Sequence, residues 1–239
     1  EIAGKIDNNY LIYKNLRSTS YVSVLNNEME ETDKVELEFI PDRVLNTDVI
    51  SYKDYFYLIY QYQKRNIVYC MAAKINGAGK MVGEPIQLDT TAISFFASNK
   101  IYSVLNSEDK QKITILKINT RDDDVHHITE NIFDASLTKL YSSKFDVEMP
   151  ERSDFLSEFT IDNDGSLVFL RMSGSAQNDA IDKATLFIKD MGSAESFTHN
   201  ITIKDAYLDD IRLKADNYNK NYLVTSLYSK TRRGNIDGI

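Results

Sequence analysis

The chain has 239 residues, is 42% hydrophobic and 27% charged, and carries a net charge of −8 with a pI near 5.0. A chain of this size and composition can bury a substantial core, which argues against disorder. The acidic balance argues against nucleic acid, whose phosphates call for clustered Lys and Arg, and no stretch reaches the roughly 20 apolar residues of a membrane-spanning helix.

Taken in chain order, the dominant signal is period-two alternation in short runs separated by turn residues, which predicts strands. A first unit offers strands at 10–17, 20–26 and 34–39, and a second at 48–53, 55–63, 66–75 and 84–88, with Asn76-Gly77 as a hairpin signal. A third reads 92–97, 100–106, 111–118 and 124–129. A fourth reads 155–161, 166–172, 183–189 and 197–203, and a fifth 207–215 and 221–228. With only nine Gly and three Pro, the turns rest on Asn, Asp and Ser, as in Asp7-Asn8-Asn9, Asn26-Asn27, Asp162-Asn163-Asp164-Gly165 and Asp216-Asn217.

The word Tyr-Leu-Ile-Tyr occurs at Tyr10–Tyr13 and again at Tyr57–Tyr60, 47 residues on, about the length of one four-stranded propeller blade. The expectation is therefore an all-β fold in one domain, 1–239: a β-propeller of about five four-stranded blades. Its units are 1–46, 47–90, 91–150, 151–204 and 205–239, the last incomplete. Residues 134–143 are expected to form a short helical insertion, because Ile132, Phe133, Leu137, Leu140 and Tyr141 recur at helix-like spacing and Asp134 is placed to cap. Thr231–Ile239 reads as a turn leading into another strand. Either a strand around 2–6 closes the ring against the last blade, or the chain is a piece of a longer or larger propeller; the second is favoured.

The stretches Thr160-Ile161-Asp162-Asn163-Asp164-Gly165-Ser166-Leu167-Val168-Phe169-Leu170, Leu223–Lys230 and Gly234-Asn235-Ile236-Asp237-Gly238-Ile239 resemble repeats of uncharacterised, exported β-propeller-like proteins of Bacteroidetes. The resemblance covers roughly 50–239. It implies a periplasmic or cell-surface location and a non-catalytic binding or scaffold role, with another envelope protein or a surface ligand as partner. It supplies no catalytic residues.

Candidate chemistry is sparse, and no cofactor is expected. Cys70 sits alone in an apolar alternating run and reads as a buried, inert thiol. Asp122, Asp124 and His126 are the densest potential metal ligands, although neighbouring residues of a strand point to opposite faces, so His126 and His127 cannot share a site. Asp162-Asn163-Asp164-Gly165 imitates the start of a calcium loop but reads better as a β-turn, and Gly77–Lys80 as a hairpin rather than a phosphate loop. Lys64, Arg65, Arg232 and Arg233 are basic points at hairpin turns, available to an anionic partner. Tyr52, Tyr55, Tyr57, Tyr60, Tyr62 and Tyr69 divide between the two faces of a sheet and read mostly as core. The enzyme alternative is a propeller glycosidase with a channel-facing carboxylate pair drawn from Asp48, Asp154, Glu158 and Asp209. A third reading is a purely structural domain of a longer chain.

Overall fold

The computed structural model describes residues 1–16, 18–122, 124–174, 181–201, 206–231 and 234–239, with the side chains of 120–122 also outside that set. Among the described residues every regular element is a β-strand, and every strand pairing is antiparallel. The chain divides into two compact units, Glu1–Val104 and Leu105–Ile239.

In the first unit, β1 (Ile2–Ile6), β2 (Asn9–Leu16), β3 (Thr19–Leu25) and β4 (Glu31–Glu36) form one four-stranded meander. A second meander follows: β5 (Asn46–Ser51), β6 (Tyr55–Lys64), β7 (Ile67–Asn76) and β8 (Ile86–Ala92). Four strands in sequence order is the blade unit of a β-propeller. Leu11, Tyr13, Val22 and Val24 of the first sheet share one core with Phe56, Leu58, Tyr60, Ala73 and Ile75 of the second. The other face of β6 is covered as well, since Tyr57, Ile59 and Gln61 are buried. Burial on both faces explains why β6 reads as the nearly unbroken apolar run Tyr55–Tyr60. The tyrosines divide as the alternation requires. Tyr52, Tyr55 and Tyr57 pack together, while Tyr60, Tyr62 and Tyr69 stack in a separate row. Desolvation pushes the Tyr60 hydroxyl up to about 12.

In the second unit, β9 (Tyr102–Asn106, which crosses the unit boundary), β10 (Lys112–Asp122), β11 (Val125–Asp134) and β12 (Lys139–Glu148) form a third meander. The last sheet holds β13 (Asp154–Ile161), β14 (Leu167–Gly174), β15 (Ile181–Lys189), β16 (Phe197–Ile201), β17 (Tyr207–Asp216) and β18 (Asn221–Ser229). The β17–β18 hairpin joins it through the single pair Ile181↔Leu208. Strand β14 is buried on both faces. Val168, Leu170 and Met172 pack with Leu208 and Ile211 of β17, whereas Leu167 and Phe169 pack with Leu116, Ile128 and Val147 of the third sheet.

One turn recurs at the ends of strands. Asn26, Asn76 and Asp134 each close the third strand of a sheet, and each Oδ1 accepts backbone N–H groups two and four residues on. The residue three positions on has positive φ every time: Met29 at 63°, Gly79 at 74° and Leu137 at 64°. Asp162 repeats the device after β13, with Gly165 at 96°. At Gly79 an added Cβ would also lie 3.1 Å from Val24 Cγ2 and 3.3 Å from Val22 Cγ1. Gly79→Ala is therefore expected to lower stability by about 2 kcal/mol, combining left-handed strain with crowding, as read from urea unfolding curves. A loss below about 0.5 kcal/mol would show that the turn relaxes freely.

Three expectations are corrected. No helix forms at 134–143: Asp134 caps a turn, Leu137 has a φ no right-handed helix allows, and the rest enters β12. The supposed insertion is the fourth strand of the third sheet, and 92–97 is not a strand. The segment around 2–6 is β1, paired with β2 in the first sheet. With Ile113 of β10 as the third anchor, Tyr57, Ile113, Leu167 and Tyr222 lie 56, 54 and 55 positions apart, so the anomalous spacing vanishes. The closing segment behaves as a further strand would: Tyr228 donates its N–H to Gly238 O at 2.9 Å, and Asp237 N–H donates to Tyr228 O at 2.8 Å.

Candidate binding cleft

Within the second unit, three turns meet at one end of the sheets: 107–112 after β9, 162–166 after β13, and 216–220 between β17 and β18. Asn163 and Asn217 lock them together. The Asn163 N–H donates to Asn217 Oδ1 at 2.8 Å, and Asn163 Oδ1 accepts the Asp109 N–H at 3.1 Å. Asn217 Nδ2 donates to Glu108 Oε2 at 2.8 Å, and Lys112 Nζ to Asn163 O. Each amide satisfies backbone or carboxylate groups that the turns leave without a ladder partner.

Glu108 of the first turn and the β17–β18 hairpin line a cleft of about 520 Å³, formed by Glu108, Lys214, Ala215, Asp216, Asn217, Tyr218, Asn221, Tyr222 and Leu223. A narrower recess of about 160 Å³ shares part of this lining and adds Asp162, Asp164, Ser166, Asp190 and Lys220. At the mouth, Tyr218 is 93% exposed and Leu223 57% exposed. In the recess, Tyr222 donates its hydroxyl to Asp162 Oδ2 at 2.7 Å, and Asp162 Oδ1 is consumed by the backbone of its turn. Burial, reinforced by the Asp162 carboxylate, pushes the Tyr222 hydroxyl well above the usual phenol range. Ser166 Oγ donates to Asp190 at 3.0 Å, and Lys220 is bound to Asp164. The cleft is therefore anionic and rich in fixed hydrogen-bonding groups, with one large aromatic ring at its mouth.

The acids singled out from sequence stand outside this cleft. Glu158, at a bulge in β13 with φ 54°, accepts the Leu213 N–H at 3.2 Å and pairs with Arg212 at 3.5 Å, which ties β13 to β17. Asp154 accepts the Glu151 N–H at 3.0 Å, and Asp209 is exposed on β17. In the first unit, Asp48 on β5 accepts from Asn46 Nδ2 at 2.7 Å. Burial raises its pKa, against the opposing charge of Lys100.

The other candidates are placed as follows. Cys70 is fully buried, and desolvation drives its thiol far above the range of a usable thiolate. His127 Nδ1 pairs with Asp146 at 2.6 Å, while His126 pairs across with Val147 and faces the opposite side, where burial lowers its pKa. Asp124 is exposed, and the Asp122 side chain lies outside the described residues. No three His, Cys, Asp or Glu side chains are grouped to hold a metal among the described residues. Lys64 and Arg65 form the tip of the β6–β7 hairpin, and Arg232 and Arg233 lie outside the described residues. Sequence reasoning passed over Tyr218 and read Asn163 only as part of a turn. The available signal was an aromatic residue inside the wholly polar hairpin Asp216-Asn217-Tyr218-Asn219-Lys220, where a core-building ring has no place.

No protein-family model matches the chain, and no curated protein matches it. Among solved structures, a thermostable family-43 glycoside hydrolase is similar at 11% identity and a TM-score of 0.43, covering 94% of this chain and 81% of that one. A hydrazine synthase from Kuenenia stuttgartiensis is similar at 9% identity and a TM-score of 0.37, covering 94% and 74%. At TM-scores below 0.5, neither likeness bears on substrate or mechanism. No helix among the described residues is long and apolar enough to cross a membrane.

Proposed function

We propose that this protein is a non-catalytic binding or scaffold module of the cell envelope, built on blade-type β-meanders, and that its ligand enters the cleft lined by Glu108 and the β17–β18 hairpin. The observation that carries this reading is the hydrogen-bonded tie from Asn163 through Asn217 to Glu108 at that cleft, with Tyr218 held out at its mouth. Pre-formed clefts with a few fixed polar groups and an exposed aromatic are suited to recognition. The ligand class that fits is polar, rich in hydrogen-bond donors and flat enough on one side to cover the Tyr218 ring. A surface polysaccharide or a cationic segment of an envelope protein meets that description. Support for a non-catalytic role comes from Asp154 and Glu158, whose carboxylates are engaged by backbone donors.

The test is affinity electrophoresis through gels carrying soluble polysaccharides, comparing the protein with Tyr218→Ala. Retention reduced at least tenfold in the variant is the expected result, in line with the loss of one aromatic anchor. Equal retention of both proteins would place binding elsewhere. A second reading, glycoside hydrolysis, draws on Asp48, since burial raises its pKa in the direction a general acid needs.

A further inference from the structure

We propose that the loop 93–100, together with the tip of the β6–β7 hairpin, is a surface by which the first unit docks peripherally onto anionic lipid. This inference is independent of the cleft, which belongs to the second unit. Phe95 and Phe96 are adjacent and remain 53% and 68% exposed, although the loop that carries them is firmly tied down. Gln63 accepts the Ala97 N–H at 2.8 Å and donates to Phe95 O at 3.1 Å and Arg65 O at 2.7 Å. The Ile93 N–H donates to Asn66 O at 2.8 Å. Arg43 donates to Ala97 O at 3.3 Å and lies over the Phe96 ring at 4.1 Å. Ile93 and Ala97 are buried on either side of the two rings. The backbone is thus fixed with both aromatic side chains outward, and little ordering entropy remains to be lost when they are covered.

The charge around the rings has one dominant sign. Arg43, Lys64, Arg65 and Lys100 are all exposed, and among the described residues Arg43, Lys64 and Arg65 form no ion pair. Asp42 is the neighbouring carboxylate in sequence, and Lys100 also lies within electrostatic range of Asp48. Such a cationic, aromatic tip runs against the chain's net charge of −8. Exposed rings flanked by Lys and Arg match the headgroup boundary of an anionic bilayer, where rings enter the apolar edge and cations meet phosphates. A fluid surface needs no matched pocket for two adjacent rings.

The test is co-sedimentation of the full chain with vesicles of phosphatidylcholine mixed with phosphatidylglycerol, against vesicles of phosphatidylcholine alone. Binding is expected to the mixed vesicles and to weaken as added salt shortens the range of the charges. The double variant Phe95→Ser/Phe96→Ser should partition about 100-fold less, at about tenfold per ring. Lys64→Glu/Arg65→Glu should lose the preference for the anionic vesicles. All four side chains are exposed, so circular dichroism should be unchanged in both variants. Because the chain has no Trp, Phe95→Trp supplies a unique fluorophore whose emission should shift to the blue on the mixed vesicles. Absence of sedimentation, equal sedimentation with both vesicle types, sedimentation unchanged by the variants, or an indole emission of Phe95→Trp unmoved by vesicles would each overturn the proposal.

Discussion

Phe169→Ala is expected to cost about 3–5 kcal/mol, which lowers Tm by roughly 10 °C in a chain of this size. Phe169 is fully buried at the centre of an aromatic column. Its ring stacks on Phe159 of β13 at 4.9 Å and on Phe187 of β15 at 5.0 Å, with Phe145 of β12 tilted against it at 6.4 Å. Truncation removes contacts on both sides at once and leaves a cavity between two sheets, each already held by its own backbone ladder, so collapse is restricted. Thermal melts of the variant and of Phe169→Leu would measure this, the leucine variant losing much less. A cost below about 1 kcal/mol for alanine would mean that this residue does not hold the third and fourth sheets together.

Glu130→Gln is expected to change how stability depends on pH. Glu130 lies on β11 with 1% exposure, and its Oε2 accepts from Ser143 Oγ at 3.0 Å while Oε1 has no partner. Thr114 Oγ1, diagonal to it on the same face, is likewise buried without one. Burial outweighs Ser143 and the nearby Lys189, and the Glu130 pKa is pushed up to about 7. The folded chain therefore keeps a proton that the unfolded chain releases near pH 4.5. Stability from this group is full below about pH 4.5 and declines until about pH 7, a loss of about 3 kcal/mol. Glutamine keeps the shape and carries no such proton. Urea unfolding should give similar stabilities for the two proteins near pH 4 and a more stable variant near pH 8. Parallel curves across the range would show that Glu130 is ionised when folded.

Much of the fold is legible in the sequence because burial and side-chain period coincide. In β7 and β14, alternation or a continuous apolar run follows directly from which faces are covered, and the Asn- and Asp-based turns announce themselves where Gly is scarce. The failure at 134–143 has a definite cause. Ile132 and Phe133 are consecutive because β11 is buried on both faces, and Leu137 is buried in a turn. Together they imitate helical spacing. Asp134 adds to the confusion, since a carboxylate accepting from backbone N–H groups two and four residues on serves a turn as well as it serves a helix start.

The cleft was less legible. Asn163, Asn217 and Glu108 come from segments as far as 109 positions apart, and only the fold brings their amides and carboxylate together. Each is an ordinary turn residue in its local context. Glu158 misled for the opposite reason. An acid in an alternating strand suggests a site, but its left-handed φ at a β-bulge turns the carboxylate onto the Leu213 backbone and Arg212.

The measurement that tests the central claim most directly is release of reducing ends from a panel of polysaccharides, run beside retention of the same polymers in affinity gels. Retention without release is the predicted result, with retention lost in Tyr218→Ala. Release that disappears in Asp48→Asn or Glu158→Gln would contradict it and make the protein a glycosidase.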